Sequence, residues 1–158
     1  MNKVRLQVDT WMEDWLTKVL QAINSRCKVD GKPIPVFIHG YAYPVPDARQ
    51  LRGVSEDSSW LWTWFHRRGY ERNTAPAYPA RCAPVMQFLI EYLNLMQERV
   101  VASFPAGTVY HVRLTGQLPN APGTYLKDWD NELHASDTGT VKLAAKFAEE
   151  IRARVLQP

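Results

Sequence analysis

The sequence predicts an α/β protein. Two short runs rich in β-branched and aromatic residues, Ile34 to His39 and Thr108 to Leu114, stand on either side of a long helical period, and a second helical period closes the chain. Strand, helix, strand, helix is the alternation of α/β folds. The length of 158 residues matches one domain of roughly 100–200 residues. With 46% hydrophobic and 22% charged residues, the disordered, collagen-like and coiled-coil classes are excluded.

The first element is a helix. Thr10-Trp11-Met12-Glu13 has the form of a capping box, and Met12, Trp15, Leu16, Val19 and Ile23 recur at three- and four-residue steps until the polar run from Asn24 to Lys32. Before it, Val4, Leu6 and Val8 alternate with charged or polar residues, which suits a short half-buried strand and equally an irregular lead-in. Ile34 to His39 follows as a buried strand, with Pro35 restricting its start to an edge or strand-beginning position. From Tyr41 to Ala83 no period is sustained, and Pro44, Pro46, Pro76 and Pro79 mark a long loop with one short helix around Ser58 to His66. Loops of this length are commonly functional, and this one leaves a strand's C-terminal end, where open α/β sheets bind ligands. Pro84 opens the next helix, which runs to about Ser103 with Val85, Phe88, Leu89, Tyr92, Met96 and Val100 on one face. Pro105-Ala106-Gly107 is the turn before the second strand. The last helix, from about Asp137 to Leu156, carries Val141, Ala144, Phe147, Ala148, Ile151 and Val155 at helical spacing.

Two or three strands are too few for three amphipathic helices, because a parallel sheet is covered on both faces and its edges need protection. Residues 1–158 are therefore expected to form a single partial domain. Either it is the C-terminal portion of a larger doubly wound domain, or an oligomeric partner completes its sheet.

Nineteen Lys and Arg against sixteen Asp and Glu leave a net charge of +3, and the basic residues are scattered, so no nucleic-acid partner is indicated. No run approaches the ~20 apolar residues of a membrane span. Asp9, Glu13 and Asp14 fall where a signal peptide has its apolar stretch, and no compartment is specified. Cys27 and Cys82 are too few and too far apart for a disulfide scaffold or a Cys-rich zinc site. The four His residues show no i, i+4 pairing, and neither a metal nor another cofactor is expected.

The sharpest chemical signal is Asp128-Trp129-Asp130-Asn131-Glu132-Leu133-His134, in which three carboxylates and one His fall within seven residues. A His held at one ring nitrogen by a carboxyl or amide oxygen presents the other as a general base. The same composition also suits a capped helix entry with a solvated acidic turn. Trp60, Trp62 and Trp64 share a face if extended, whereas only Trp60 and Trp64 share a helical face. They suit an apolar wall for a substrate or rings that pin a loop to the domain. Tyr41, Tyr43, Trp60 and Trp62 are the candidate substrate-binding residues, the two tyrosines equally suiting a Pro-rich turn. His39 at a strand end suits a structural hydrogen bond or the lining of the site, and His66 in an Arg-rich turn and His111 within a strand suit structural or exposed positions.

The segments Phe37-Ile38-His39-Gly40-Tyr41-Ala42-Tyr43-Pro44-Val45-Pro46-Asp47, Trp60-Leu61-Trp62 and Asp128 to His134 resemble the C-terminal half of SGNH hydrolases, the GDSL-type esterase and lipase superfamily. The likeness is to a bacterial subgroup with a strand ending in Gly-Tyr-x-Tyr-Pro-Val-Pro and a closing Asn-Glu-Leu-His-Pro block, and it runs from about Trp11 to Ala148. It implies a flavodoxin-like three-layer α/β/α fold whose parallel sheet lacks its N-terminal strands. It also implies hydrolysis of a small-molecule carboxylic ester by Ser, His and Asp. The catalytic His of the family falls on His134, and the acid position three residues earlier on Asn131. Asn can accept an imidazole N–H but cannot stabilise imidazolium by charge, so Asp128 and Asp130 are candidates for that charge, with Glu132 less favoured.

The family's Gly-Asp-Ser-Leu-like nucleophile block and Gly-x-Asn-Asp oxyanion block are absent. The serines are Ser25, Ser55, Ser58, Ser59, Ser103 and Ser136, none in such a context. Each missing oxyanion donor alone costs about 2.7–4 kcal/mol of transition-state stabilisation, so this chain by itself is expected to be inactive or nearly so. The alternative is a non-catalytic module whose Trp-rich loop binds an acyl chain, a glycan or another protein.

Overall fold

The first helical period extends further towards the N-terminus than its capping signals indicate. In the computed structural model, which describes residues 2–49, 59–70 and 79–156, α1 (Asn2–Leu6), a π-helical stretch (Gln7–Met12) and α2 (Glu13–Arg26) follow one another directly. Neither the strand expected at Val4 to Val8 nor the Thr10–Glu13 capping box forms. The Thr10 hydroxyl instead donates to the Leu6 carbonyl one turn back, as a Thr inside a helix does. Arg99 donates to both the Asp9 and Glu13 carboxylates at 2.7 Å, a bracket that spans the expected break.

The polar stretch after α2 holds a hairpin that its composition had concealed. Strand β1 (Lys28–Val29) pairs antiparallel with β2 (Lys32–Pro33) across Asp30 and Gly31, whose φ values are 50° and 75°. Two positive φ angles define the type I′ turn, and Asp-Gly is its sequence signature.

Strands β3 (Val36–His39) and β4 (Val109–Val112) form a parallel pair, in register from Val36↔Val109 to His39↔Val112. Helix α4 (Ala83–Ala102) lies between them in the chain, as a parallel connection requires. The pair belongs to the first of two compact units, made of Met1–Gly40, Glu91–Arg113 and Ala148–Pro158. Its core sets Leu20 of α2 and Met96 and Val100 of α4 against Val36, Ile38 and Val109. Strand alternation sends Phe37 and Tyr110 to the other face, where their rings stack at 4.9 Å and the Arg154 guanidinium lies 5.4 Å over Tyr110.

At the end of β3, Gly40 has no room for a side chain. A Cβ there would lie 1.8 Å from Asn94 Oδ1 and 3.3 Å from His111 Nε2. Asn94 is fully buried, and neither its amide atoms nor His111 Nε2 has a partner among the described residues. Burial, then the neighbouring His39, push the His111 imidazole below its ordinary pKa. Glu98, 3.7 Å from His111 Nδ1, does not offset this because it is paired with Arg113 at 2.7 Å.

The second unit comprises Tyr41–Ile90 and Leu114–Phe147. It contains α3 (Trp62–His66), a 3-10 turn at Tyr125–Lys127 and most of α5 (Asp137–Ile151). Ala42, Val45, Leu118, Tyr125 and Trp129 form its core, and Pro44 and Pro46 are equally buried, so the Pro-rich turn after Gly40 is packed interior. The architecture is α/β in general terms, with two two-stranded sheets among the described residues, one of them parallel. No helix there is long and apolar enough to cross a membrane. Ser55, Ser58 and Pro76 lie outside the described residues.

Two outcomes are expected. Gly40→Ala should cost about 1–3 kcal/mol in urea denaturation by overpacking, and Asn94→Ala in the same chain should recover part of the loss. Because folded His111 titrates below its ordinary value of 6.5, the unfolded chain takes up a proton first as the pH falls. Stability should therefore fall as the pH is lowered through about 6.5, and His111→Phe should flatten that dependence in urea midpoints.

Candidate active site at the His134 turn

A single antiparallel bridge, Trp129↔Ala135, closes the turn that carries the acidic cluster, with the Asp130 N–H donated to the His134 carbonyl at 2.9 Å. Inside it the Asn131 side chain is 4% exposed. Its Oδ1 accepts the backbone N–H groups of Leu133 and His134, both at 3.0 Å, and lies 3.0 Å from His134 Nδ1. Two backbone donors on one atom identify it as the amide oxygen, and an oxygen there only accepts. Nδ1 therefore carries the imidazole hydrogen, and Nε2 is left with its lone pair. His134 is exposed, and Nε2 has no partner among the described residues.

Glu132, one residue further on, points the opposite way and is 0% exposed. Its Oε1 accepts the N–H groups of Ala48 at 2.8 Å and Trp62 at 3.1 Å, and its Oε2 that of Leu61 at 2.7 Å. Burial pushes this carboxyl above the usual range, the amides of Leu61, Ala48 and Trp62 pull it back, and Asp47 adds to the rise. Arg49 completes the cluster. Its Nε donates to Asp47 at 2.6 Å and its terminal nitrogens to the Trp129 and Asn131 carbonyls, while the guanidinium lies 5.2 Å over the Tyr125 ring.

The other carboxylates serve the frame. Asp128 is buried and accepts from Lys142 of α5 at 2.7 Å. Its carbonyl crowds Gly139, where a Cβ would lie 2.1 Å away, so α5 can pack here only with Gly at that position. The Ser136 hydroxyl caps α5 by accepting the Gly139 N–H at 3.2 Å. Asp130 is exposed. Of the candidate partners for His134, Asn131 is the one whose side chain meets the imidazole.

Among the candidate substrate residues, Tyr41 is exposed and Tyr43 half-buried. Trp62 is buried, its ring 6.2 Å from His66 in a stacked arrangement. Trp60 and Trp64 are 48% and 57% exposed, and Arg67 lies 5.4 Å over the Trp64 ring. Every described serine hydroxyl is engaged locally: Ser25 with Ala22, Ser59 with Thr63, Ser103 with Val100 and Ser136 with Lys127. Among the described residues no three His, Cys, Asp or Glu side chains converge as a metal site.

No family model, curated protein or solved structure matches the chain. The site therefore stands on its own geometry. Sequence reasoning brought Asn131 and His134 together but missed Glu132 as a clamp and Arg49 altogether. An internal Glu between Asn131 and Leu133 resembles a surface acid until its three donors are known, and Arg49 lies in a segment with no period.

Each buried donor left unpaired costs about 1–3 kcal/mol, so Glu132→Ala is expected to lose roughly 3 kcal/mol or more in urea denaturation. Glu132→Gln keeps one carbonyl oxygen and should lose less.

Proposed function

We propose that this chain carries the general-base part of a carboxylic-ester hydrolase site of the SGNH type that its motifs resemble, within the C-terminal portion of a flavodoxin-like domain. The observation that carries the reading is the Asn131 Oδ1 contact to His134 Nδ1. It holds the imidazole in the tautomer whose Nε2 takes the proton of a hydroxyl nucleophile and later returns it to the leaving alkoxide. An Asn in the place of an Asp fails this task when its NH2 group faces the ring. Here the backbone donors of Leu133 and His134 claim the oxygen and so keep it turned to the imidazole. The described serine hydroxyls are engaged locally, so on this reading the nucleophile and oxyanion donors come from outside the described residues. On this reading a partner would complete both the sheet and the site.

A second reading, a binding module without turnover, is favoured by the exposure of Trp60 and Trp64. It requires saturable ligand binding that Trp60→Ala weakens.

The base reading is tested with p-nitrophenyl acetate. The chain alone is expected to cleave it at a rate comparable to that of an equal concentration of free imidazole, which attacks this activated ester directly. His134→Ala should remove most of that cleavage, whereas His39→Ala and His66→Ala should not. Undiminished cleavage in His134→Ala overturns the assignment, and labelling of a serine by a fluorophosphonate overturns the expectation that the chain lacks its nucleophile.

A further inference from the structure

We infer that the outer face of the N-terminal helix is an interfacial surface that lies on an anionic lipid membrane, with Trp11 and Trp15 seated among the headgroups. The inference is independent of the role of His134.

Residues 2–26 run as one helix with two apolar faces. The inner face sets Val8, Leu16 and Leu20 into the core with α4 and the β3–β4 pair. The outer face carries Leu6, Trp11 and Trp15, which are 63%, 79% and 63% exposed. Their alignment depends on the π-helical stretch. In an α-helix five residues overshoot one turn by about 140°, which would turn Trp11 well away from Leu6. Across Gln7–Met12 the hydrogen bonds run to the fifth residue back, as from the Glu13 N–H to the Val8 carbonyl, and the slower winding brings Trp11 close to the line of Leu6. Trp15 follows four residues later on the same side. Three large apolar side chains in line, on the far side of a helix from its core, form a patch of the kind that marks an interaction surface.

The charges of the helix are sorted to match. Asp9 and Glu13 are drawn to Arg99 of α4, each at 2.7 Å, and the Arg5 guanidinium lies 5.7 Å over the Tyr92 ring of the same helix. Helical spacing from Leu6 and Trp15 leaves Lys3, Lys18 and Arg26 on or beside the outer face, all exposed, and Asp14 at its margin is paired with Lys18 at 2.7 Å. The stems of Lys and Arg lie along apolar surface while their heads reach outward, and an indole joins an apolar ring to an N–H, which suits it to the headgroup level of a bilayer. Cations around an exposed Trp pair, with the acids turned inward, are complementary to a negatively charged bilayer surface. Strands that complete the sheet join at its edges, under the inner faces of the helices, and so leave this face open. A second copy set face to face here would bring like charges together.

The test is co-sedimentation of the whole chain with phosphatidylglycerol vesicles and, in parallel, with phosphatidylcholine vesicles, alongside light scattering of the chain alone. The chain is expected to favour phosphatidylglycerol by about tenfold or more at low salt and to lose that preference as salt is raised. Trp11→Ala combined with Trp15→Ala should weaken binding about tenfold with the urea midpoint unchanged, because both rings are exposed, whereas Trp64→Ala should leave binding as it is. Lys3→Gln combined with Arg26→Gln, which keeps the Asp14–Lys18 pair, should remove most of the preference for phosphatidylglycerol. The inference is overturned by a chain that stays in solution with phosphatidylglycerol vesicles, by equal binding to both lipids, or by binding that survives the loss of Trp11 and Trp15. A dimer that dissociates in the Trp11, Trp15 variant overturns it as well, since a second copy then covers the face.

Discussion

A carboxylate with no access to water has to be met by donors, and Glu132 meets three that no helix or strand provides with partners: the N–H groups of Ala48, Leu61 and Trp62. The exchange is mutual, since a buried backbone donor is costly to leave unpaired and a buried carboxylate costlier still. It fixes where α3 begins and which end of the acidic cluster faces inward. With Glu132 inward, Asn131 is drawn into the turn and His134 is left at its rim. Arg49 adds a second tie by donating to the Trp129 and Asn131 carbonyls on the same turn.

The imidazole depends on a smaller constraint of the same kind. Asn131 Oδ1 is already committed to two backbone N–H groups, so its orientation is set by the turn before the imidazole meets it. An amide can then do the orienting work of a carboxylate without its charge. What it cannot supply is stabilisation of the imidazolium. Of the nearby acids, Asp128 is drawn to Lys142 and Glu132 to its three amides.

Much of the fold was legible because long apolar periods survive tertiary context. Helices α2, α4 and α5 and strands β3 and β4 lie where the spacing of Leu16, Met96, Phe147, Ile38 and Val109 predicts them. Local capping signals were weaker guides. Thr10 and Glu13 had the right types and spacing for a cap, but the helix runs on through them, and Arg99, far along the chain, donates to Asp9 and Glu13 on it. The Asp30-Gly31 hairpin was legible and overlooked, because its flanking strands are only two residues long. At the site, the Asn131–His134 contact spans three residues and could be anticipated from sequence. The Glu132 contacts span seventy residues or more, and no local pattern of residues encodes them.

The account stands on the tautomer of His134. A long-range proton–nitrogen correlation spectrum of the imidazole distinguishes a protonated Nδ1 from a protonated Nε2 directly, at a pH where the ring is neutral. The wild-type chain should show the hydrogen on Nδ1 and a lone pair on Nε2, and Asn131→Ala should shift the balance towards the Nε2-protonated form that free imidazole rings favour. A wild-type spectrum with the hydrogen on Nε2, or one indifferent to the loss of Asn131, would contradict the account.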